Sequence, residues 1–472
     1  MNPSSVNPDP AALPGFRPET AIRDLGPDFY DPVQPALFPA HIIRFRNSRA
    51  AAQVGLATLD DDAWVRHFGR FEPLLGSLAE PLALRYHGHQ FRAYNPDIGD
   101  GRGFLYAQLR DHAGRLMDLG TKGSGLTPYS RFGDGRLTLK GAAREVLATE
   151  MLEALGVNTS RSFSVIETGE ALQRNDEPSP TRSAVLVRLS HGHIRYGTFQ
   201  RFAYLGETEN IARLADYALE HLLNDTPGGG EAGLRLLDHA VSGAAGLAAS
   251  YMAAGFVHGV LNTDNISITA ESFDYGPWRF TPRWEPGFTA AYFDHAGLYA
   301  FGRQPETLHW NLLQLARCLA LIAPSEALSP ILEDFPNRYR AGVRKALLWR
   351  LGVTPRDEQA DLHLIEAMET ALSSTGAGID RFFFDWFGGR LHDPSPQDET
   401  YDRPEFAGFV AAISAYAPRY AVLPDYFQSS APCSMLIGEV EAIWAAIADA
   451  DDWAPFNAKV AAIRRMGEAM KA

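Results

Sequence analysis

The chain has 472 residues, enough for two or three compact units at roughly 150 residues each. Hydrophobic residues make up 46% and charged residues 21%, a globular composition that excludes a disordered, collagen-like or coiled-coil chain. Acidic residues outnumber basic ones 57 to 43, so at a formal charge of -14 the surface as a whole repels nucleic acid and anionic lipid, and an anionic ligand needs a local basic pocket.

Residues 1–40 carry nine prolines and little periodicity, which predicts an extended arm laid over a folded body. The start lacks both an apolar secretory segment and an Arg-rich transit pattern, and no apolar run reaches membrane-spanning length, so the expectation is a cytoplasmic protein with no membrane partner. From about Pro81 the texture changes. Gly99-Asp-Gly-Arg-Gly103 precedes a strand-like run, Phe104 to Leu109, then a turn near Gly114 and a second run, Leu116 to Leu119. Further glycines at Gly123, Gly125, Gly133 and Gly135 lead into a predicted helix from Leu139 to Leu155, ended by Gly156. In that helix Glu145 heads the apolar stripe Ala148, Leu152 and Leu155, and a buried Glu needs a cationic partner.

Ala184 to Leu189 reads as a buried strand, after which helical patterns dominate: Asn210 to Leu223, Gly233 to Ala254, Thr307 to Leu321 and Asn337 to Leu351. The expected class is α+β, with a β-rich lobe over 41–187 containing one key helix, a mainly helical lobe over 188–472, and a ligand cleft between them. Asn175 to Pro180 is expected to be a surface loop.

Five features carry chemistry. Gly99, Gly101 and Gly103 would let backbone N–H groups approach phosphate oxygens, with Arg102 adding a cation. Lys122 lies 19 residues beyond Gly103 and Glu145 a further 23 on, an order that resembles a protein kinase N-lobe, where a lysine holds nucleotide phosphates and a helix glutamate orients it. The segment Phe256 to Ile268 followed by Asp274-Tyr-Gly276 resembles a kinase catalytic loop and metal-binding triplet; Asn265 and Asp274 would supply hard oxygens to Mg²⁺. Where a kinase places its base, two residues after the His, this chain has Val260, which leaves Asp264 as the candidate base or metal partner. Arg188 and Arg195 flank Ser190-His191 and could join Lys122 and Arg102 in a basic pocket for a triphosphate.

Other features read as structural. His87, His89, His191 and His193 form two His-x-His pairs without evident further ligands, and the aromatic run Asp380 to Gly389 reads as core packing. The two cysteines, Cys318 and Cys433, are in no metal-ligand spacing.

Taken together these motifs resemble the selenoprotein O family, pseudokinase-like protein adenylyltransferases. The resemblance covers roughly Arg85 to Leu321 and rests on Tyr86-His-Gly-His-Gln-Phe91, Gly99 to Gly103, Lys122-Gly-Ser-Gly-Leu-Thr-Pro-Tyr-Ser-Arg131, Gly133-Asp-Gly-Arg136, Arg144-Glu145, His258-Gly259, Asn262 to Asn265 and Asp274 to Pro277. It implies a bilobal protein-kinase-like fold in which ATP binds in reversed orientation, so that AMP passes to Ser, Thr or Tyr hydroxyls of target proteins. It further implies that Gly99, Gly101, Arg102, Lys122, Asp134, Gly135, Arg188, Arg195 and Asp274 contact ATP. Glu145 would orient Lys122, Asp264 would accept the proton, and Asn265 with Asp274 would hold Mg²⁺ or Mn²⁺. Many members carry a redox-active cysteine or selenocysteine near the terminus, which Met466 to Ala472 lacks. The alternatives are an atypical kinase that transfers the γ-phosphate, transfer of UMP, and a pseudokinase scaffold that binds nucleotide without turnover.

Overall fold

The computed structural model describes residues 15–175, 177–229, 231–392 and 398–471. Residues 1–14 of the expected arm, and Asp176 of the expected surface loop, lie outside them. The strands of the first part are β1 (Pro18–Glu19), β2 (Tyr30–Pro32), β3 (Ile42–Arg46), β4 (Leu82–Leu84), β5 (Gly88–Gln90), β6 (Ala93–Asn95), β7 (Leu105–Arg110), β8 (Leu116–Lys122), β9 (Leu137–Thr138), β10 (Arg161–Leu172) and β11 (Thr181–Ser190). All but β5 and β6 form one antiparallel sheet of order β2-β4-β7-β8-β11-β10-β3, with β1 on β7 and β9 on β11. Residues 18–32 of the Pro-rich segment thus add two short strands to the sheet, and the change from sheet to helices comes after Ser190, because Arg188 lies within β11.

Strand parity decides what each face carries. Met117 and Leu119 of β8, with Val185, Val187 and Leu189 of β11, face a core that includes Trp64 and Phe68 of α2 (Asp61–Phe68), which follows the short α1 (Ser48–Gln53). Leu116 of β8 and Ala184 and Leu186 of β11 face the opposite core, covered by α3 (Leu139–Ala154). Lys122 and Arg188 share the parity of that second set, so the sheet delivers both cations to the face where α3 packs. The helix starts where the Thr138 hydroxyl accepts the Gly141 N–H at 3.1 Å, and Gly156, at φ 78°, follows its end. The final helix, Ala454–Lys471, straps α3 from outside: Arg464 grips buried Glu150 with two bonds of 2.6 and 2.8 Å.

Beyond the sheet come α4 (Tyr196–Leu205), α5 (Thr208–Tyr217), α6 (Ala232–Ala254) and α7 (Gln304–Leu319), then further helices that include Phe335–Leu351, Glu358–Thr375 and Ile437–Ala450. Small residues let α6 pack closely; a Cβ on Gly342 would sit 3.0 Å from Ala249 Cβ. The run from Phe382 to Phe387 is buried in the helical core, as its composition suggested. Cys318 is buried as well, its Sγ on the Gln314 carbonyl at 3.2 Å. Among the described residues no helix is long and apolar enough to cross a membrane. The class is therefore mixed α and β with a large antiparallel sheet and many helices.

Candidate active site

A cavity of about 700 Å³ opens where the sheet meets the loop between β11 and α4 and the loop after α6. Seven basic and four acidic side chains line it, an inversion of the charge balance of the whole chain. Its lining brings together Gly99, Gly101, Arg102, Lys122, Asp134, Gly135, Arg188, Arg195, Asp264 and Asp274. Glu145 stands behind Lys122. Asn265 is close in sequence but not part of the lining.

At the inner end Lys122 Nζ donates to Glu145 Oε2 at 2.6 Å and lies 2.7 Å from Asp274 Oδ1. Arg188 Nη1 is 3.6 Å from Glu145 Oε1 and 3.7 Å from Asp274 Oδ1, so two cations and two carboxylates share one cluster. Glu145 is 1% exposed and Asp274 26%, which makes Asp274 the member that faces the cavity. Burial pushes the Asp274 carboxyl up, but Lys122, then Arg188, Arg195 and Arg102, hold it well below the usual carboxylate range. Arg188 Nε and Nη1 and Glu145 Oε1 are buried without a hydrogen-bond partner among the described residues. The unpaired Arg188 donors at the cavity wall are suited to an anionic ligand.

The loop that carries Asp264 is held from several sides. It follows β12 (Phe256–Val257), which pairs with β13 (Arg279–Phe280), and buried His258 bonds the Phe273 carbonyl at 3.0 Å, tying the loop to the turn before Asp274. Thr263 Oγ1 donates to Gln200 Oε1 at 2.5 Å and accepts the His89 N–H at 2.7 Å. Arg195 Nη1 donates to the Asp264 carbonyl at 2.8 Å, while its Nη2 pairs with Asp100 Oδ1 at 3.2 Å and its guanidinium lies over the Tyr86 and Phe273 rings. Asp264 Oδ1 is buried with no hydrogen-bond partner among the described residues, and Gln90 Nε2 reaches Oδ2 only at 3.5 Å. Burial raises the Asp264 carboxyl to about 6 against the pull of Arg195. A buried carboxylate poised near neutrality with a free oxygen is equipped to take a proton.

The outer wall is the glycine-rich chain from Gly99 to Arg136. Gly99 is needed for close approach, since a Cβ there would come within 2.5 Å of the Tyr129 ring. Gly135 is needed twice over: its φ is 69°, and a Cβ would lie 2.2 Å from the Gly125 carbonyl oxygen. Asp134 receives two bonds from Arg174, at 2.8 and 3.1 Å, which joins this wall to the β10–β11 turn. The side chains of the exposed Arg102 and Arg131 stand on the wall with no hydrogen bond or ion pair among the described residues.

Hard oxygens suited to a divalent ion are present. Asn265 spends its amide N–H on the Val260 carbonyl at 2.9 Å, which leaves Oδ1 as an acceptor, and the Asp274 carboxylate stays ionised at the cavity wall. Three of the four His-x-His rings have protein partners instead: His87 bonds Tyr94 Oη at 2.8 Å, His89 bonds Gln200 at 2.7 Å, and His193 bonds Asp118 at 3.2 Å.

Residues 15–398 match the family described as protein adenylyltransferase SelO. The chain belongs to that family. It is 43% identical over 476 residues to a protein nucleotidyltransferase YdiU of Gloeobacter violaceus, a match covering 98% of this chain and 97% of the relative. With a YdiU of Synechocystis it shares 42% over 461 residues, 93% and 96% of the two chains, and with one of Synechococcus elongatus 51% over 340 residues, 71% and 68%. The expected resemblance to the selenoprotein O family is borne out, and the SelO membership makes the chain an enzyme, a protein adenylyltransferase. Asp100, Tyr86 and Arg174 also line the cleft, and none of the three has a role expected from the sequence. Asp100 could have been given one: it is the carboxylate inside the glycine motif, and Arg195 needed a partner.

Proposed function

We propose that the cleft binds ATP with its α-phosphorus toward Asp264 and transfers AMP to a Ser, Thr or Tyr hydroxyl of a target protein, releasing pyrophosphate. The observation that carries this reading is the joining of the Lys122, Glu145, Arg188 and Asp274 cluster, in one basic cavity, to the buried Asp264 carboxylate, whose Oδ1 has no hydrogen-bond partner among the described residues. In this reading the two parts are lobes of a kinase-like fold, and the protein works in the cytoplasm.

Lys122, kept in place by Glu145, exchanges Asp274 for phosphate oxygens, and Arg188 offers its two unpaired N–H groups to the same anion. Arg195, Arg102, Asp134, Gly135 and the Gly99 and Gly101 backbone complete the nucleotide contacts. Asp264 takes the hydroxyl proton as that oxygen bonds to the α-phosphorus and the bond to pyrophosphate breaks. Asn265 and Asp274 would hold Mg²⁺ or Mn²⁺, whose charge offsets that of the phosphates. Cations already fixed in the cleft stabilise the charge that moves onto the leaving group without reorganising.

Incubation with ATP labelled at either the α or the γ position tests the reading. Protein-bound α label with release of pyrophosphate is expected. Retained γ label would mean kinase chemistry, and ATP binding without label on protein would mean a scaffold. Parallel assays with UTP decide the transferred nucleotide. Asp264→Asn should lower transfer about 10²- to 10⁴-fold while ATP binding persists.

A further inference from the structure

Phe91 and Arg92 form the two-residue turn of the β5–β6 hairpin, with φ of 50° and 63°. Left-handed backbone at both positions is the demand of a type I′ turn, which Asn-Gly meets at ease and a bulky aromatic does not. Strain of this kind persists only where surrounding contacts impose it. Here they do: the Phe91 N–H lies 3.1 Å from Asn262 Oδ1 and 3.2 Å from Tyr299 Oη, while Arg92 pairs with Glu306 at 3.2 Å and lies over the Trp310 ring. The result is a Phe91 ring held 39% exposed beside the loop of Asp264.

That ring is one step in a row leading outward. Tyr299, buried and donating to Asn262 Oδ1 at 2.5 Å, has its ring 4.9 Å from Phe91. Phe91 is 5.7 Å from Phe293, which is 43% exposed, and Phe293 is 5.1 Å from Tyr292, which is 83% exposed. The row therefore begins two residues before Asp264 and ends in solvent. None of its three exposed rings lines the nucleotide cavity, so a nucleotide bound there does not cover them. A protein acceptor has to bring its hydroxyl to Asp264, and this contiguous apolar surface starts at the loop that carries Asp264.

We propose that the row formed by Phe91, Phe293 and Tyr292 docks the acceptor protein, taking an apolar or aromatic side chain of an extended segment that carries the modified hydroxyl. The proposal rests on the reading of Asp264 as the proton acceptor. An extended segment advances about 3.3 Å per residue, so the rings would meet side chains roughly three to five positions from the hydroxyl. Rigid aromatic anchors give such a contact area at small entropic loss.

The probe is a set of peptides with a central Tyr, Ser or Thr in a Gly-Ser background, in which one Phe, Leu or Lys is moved through the flanking positions, incubated with Mg²⁺ and α-labelled ATP. The expected result is that Phe or Leu on one side, three to five positions away, raises kcat/KM roughly ten-fold over Lys, the scale of one interface anchor. The double variant Tyr292→Ala/Phe293→Ala should erase that preference, with the Kd for ATP and the labelling of peptides without an apolar flank unchanged. Wild-type protein that labels peptides without preference, or a double variant that keeps the preference, overturns the docking proposal alone. Wild-type protein that labels no peptide overturns the adenylyl-transfer reading and the docking with it. A change from dimer to monomer in the double variant would assign the rings to a second copy of the chain and also overturn the proposal.

Discussion

Glu145→Gln isolates the electrostatic centre of the cleft with almost no change of shape. Lys122 Nζ and Glu145 Oε2 are 2.6 Å apart and both nearly inaccessible, so their gross attraction is about 6 kcal/mol at an effective dielectric near 20. Desolvation offsets much of that, yet removal of one partner strands the other, at a cost of about 3–5 kcal/mol. Because Lys122 keeps Asp274 at 2.7 Å, the loss should fall at the lower end, about 3 kcal/mol, read as a lowered urea midpoint with an unchanged slope. Transfer of α label should fall further, on the order of 10²-fold, since a lysine pulled toward Asp274 no longer meets phosphate in the working geometry. Lys122→Met should be non-additive with Glu145→Gln in a double-mutant cycle. Additive effects, or a single variant within about 0.5 kcal/mol of wild type that still transfers normally, would refute the cluster as the organising element.

Three further outcomes follow from other residues. The Asp264 carboxyl is raised to about 6, and it serves as a base only when ionised, so kcat/KM should fall with unit slope as pH drops through about 6; a flat profile down to pH 5 would count against its role. Glu271 is buried, accepts the His191 N–H at 3.0 Å and is pushed by burial from 4.5 to about 7, so the folded state holds its proton longer than the unfolded chain. Stability should therefore decline as pH rises from 4.5 to about 7, and Glu271→Gln should gain roughly 2–3 kcal/mol over wild type across that window in denaturation series; a pH-independent difference would contradict this. Gly135→Ala combines a left-handed backbone with a Cβ 2.2 Å from the Gly125 oxygen, so ATP affinity measured by calorimetry should fall at least about ten-fold with circular dichroism unchanged; wild-type affinity would show that this wall does not shape the nucleotide site.

Local pattern was enough to find β7 and β8, short strand-like runs on either side of a glycine turn, and α3 and α6, which carry a helical period in apolar residues. It was not enough for β10, twelve residues long and second from the edge of the sheet. Its buried positions include Ser162, Ser164 and Thr168, which bond Thr149, Trp64 and Ser183, so their burial depends on distant partners that no window of sequence contains. The strands of residues 18–32 are only two or three residues long and exist through pairing with β7 and β4, not through propensity. At the site, Lys122 and Glu145 were legible because a buried helix carboxylate demands a cation. The bond from Arg174 to Asp134 was not, because it joins two loops 40 residues apart.

The cluster also bears on why a divalent ion belongs in the reading. Five of the seven cations on the cleft wall are already matched: Lys122 and Arg188 with Glu145 and Asp274, Arg195 with Asp100, Arg136 with Glu170, and Arg174 with Asp134. Only Arg102 and Arg131 stand without such a partner among the described residues, too little positive charge for a triphosphate. If Lys122 turns from Asp274 to the nucleotide, Asp274, held ionised far below its usual range, is left facing phosphate oxygens of like charge. At a partly buried carboxylate that repulsion is poorly screened, and an added cation between the two removes it. ATP affinity should accordingly depend on a divalent ion in wild type and much less so in Asp274→Asn, where the repulsion is already gone; equal dependence in both would mean that Asp274 does not face the phosphates.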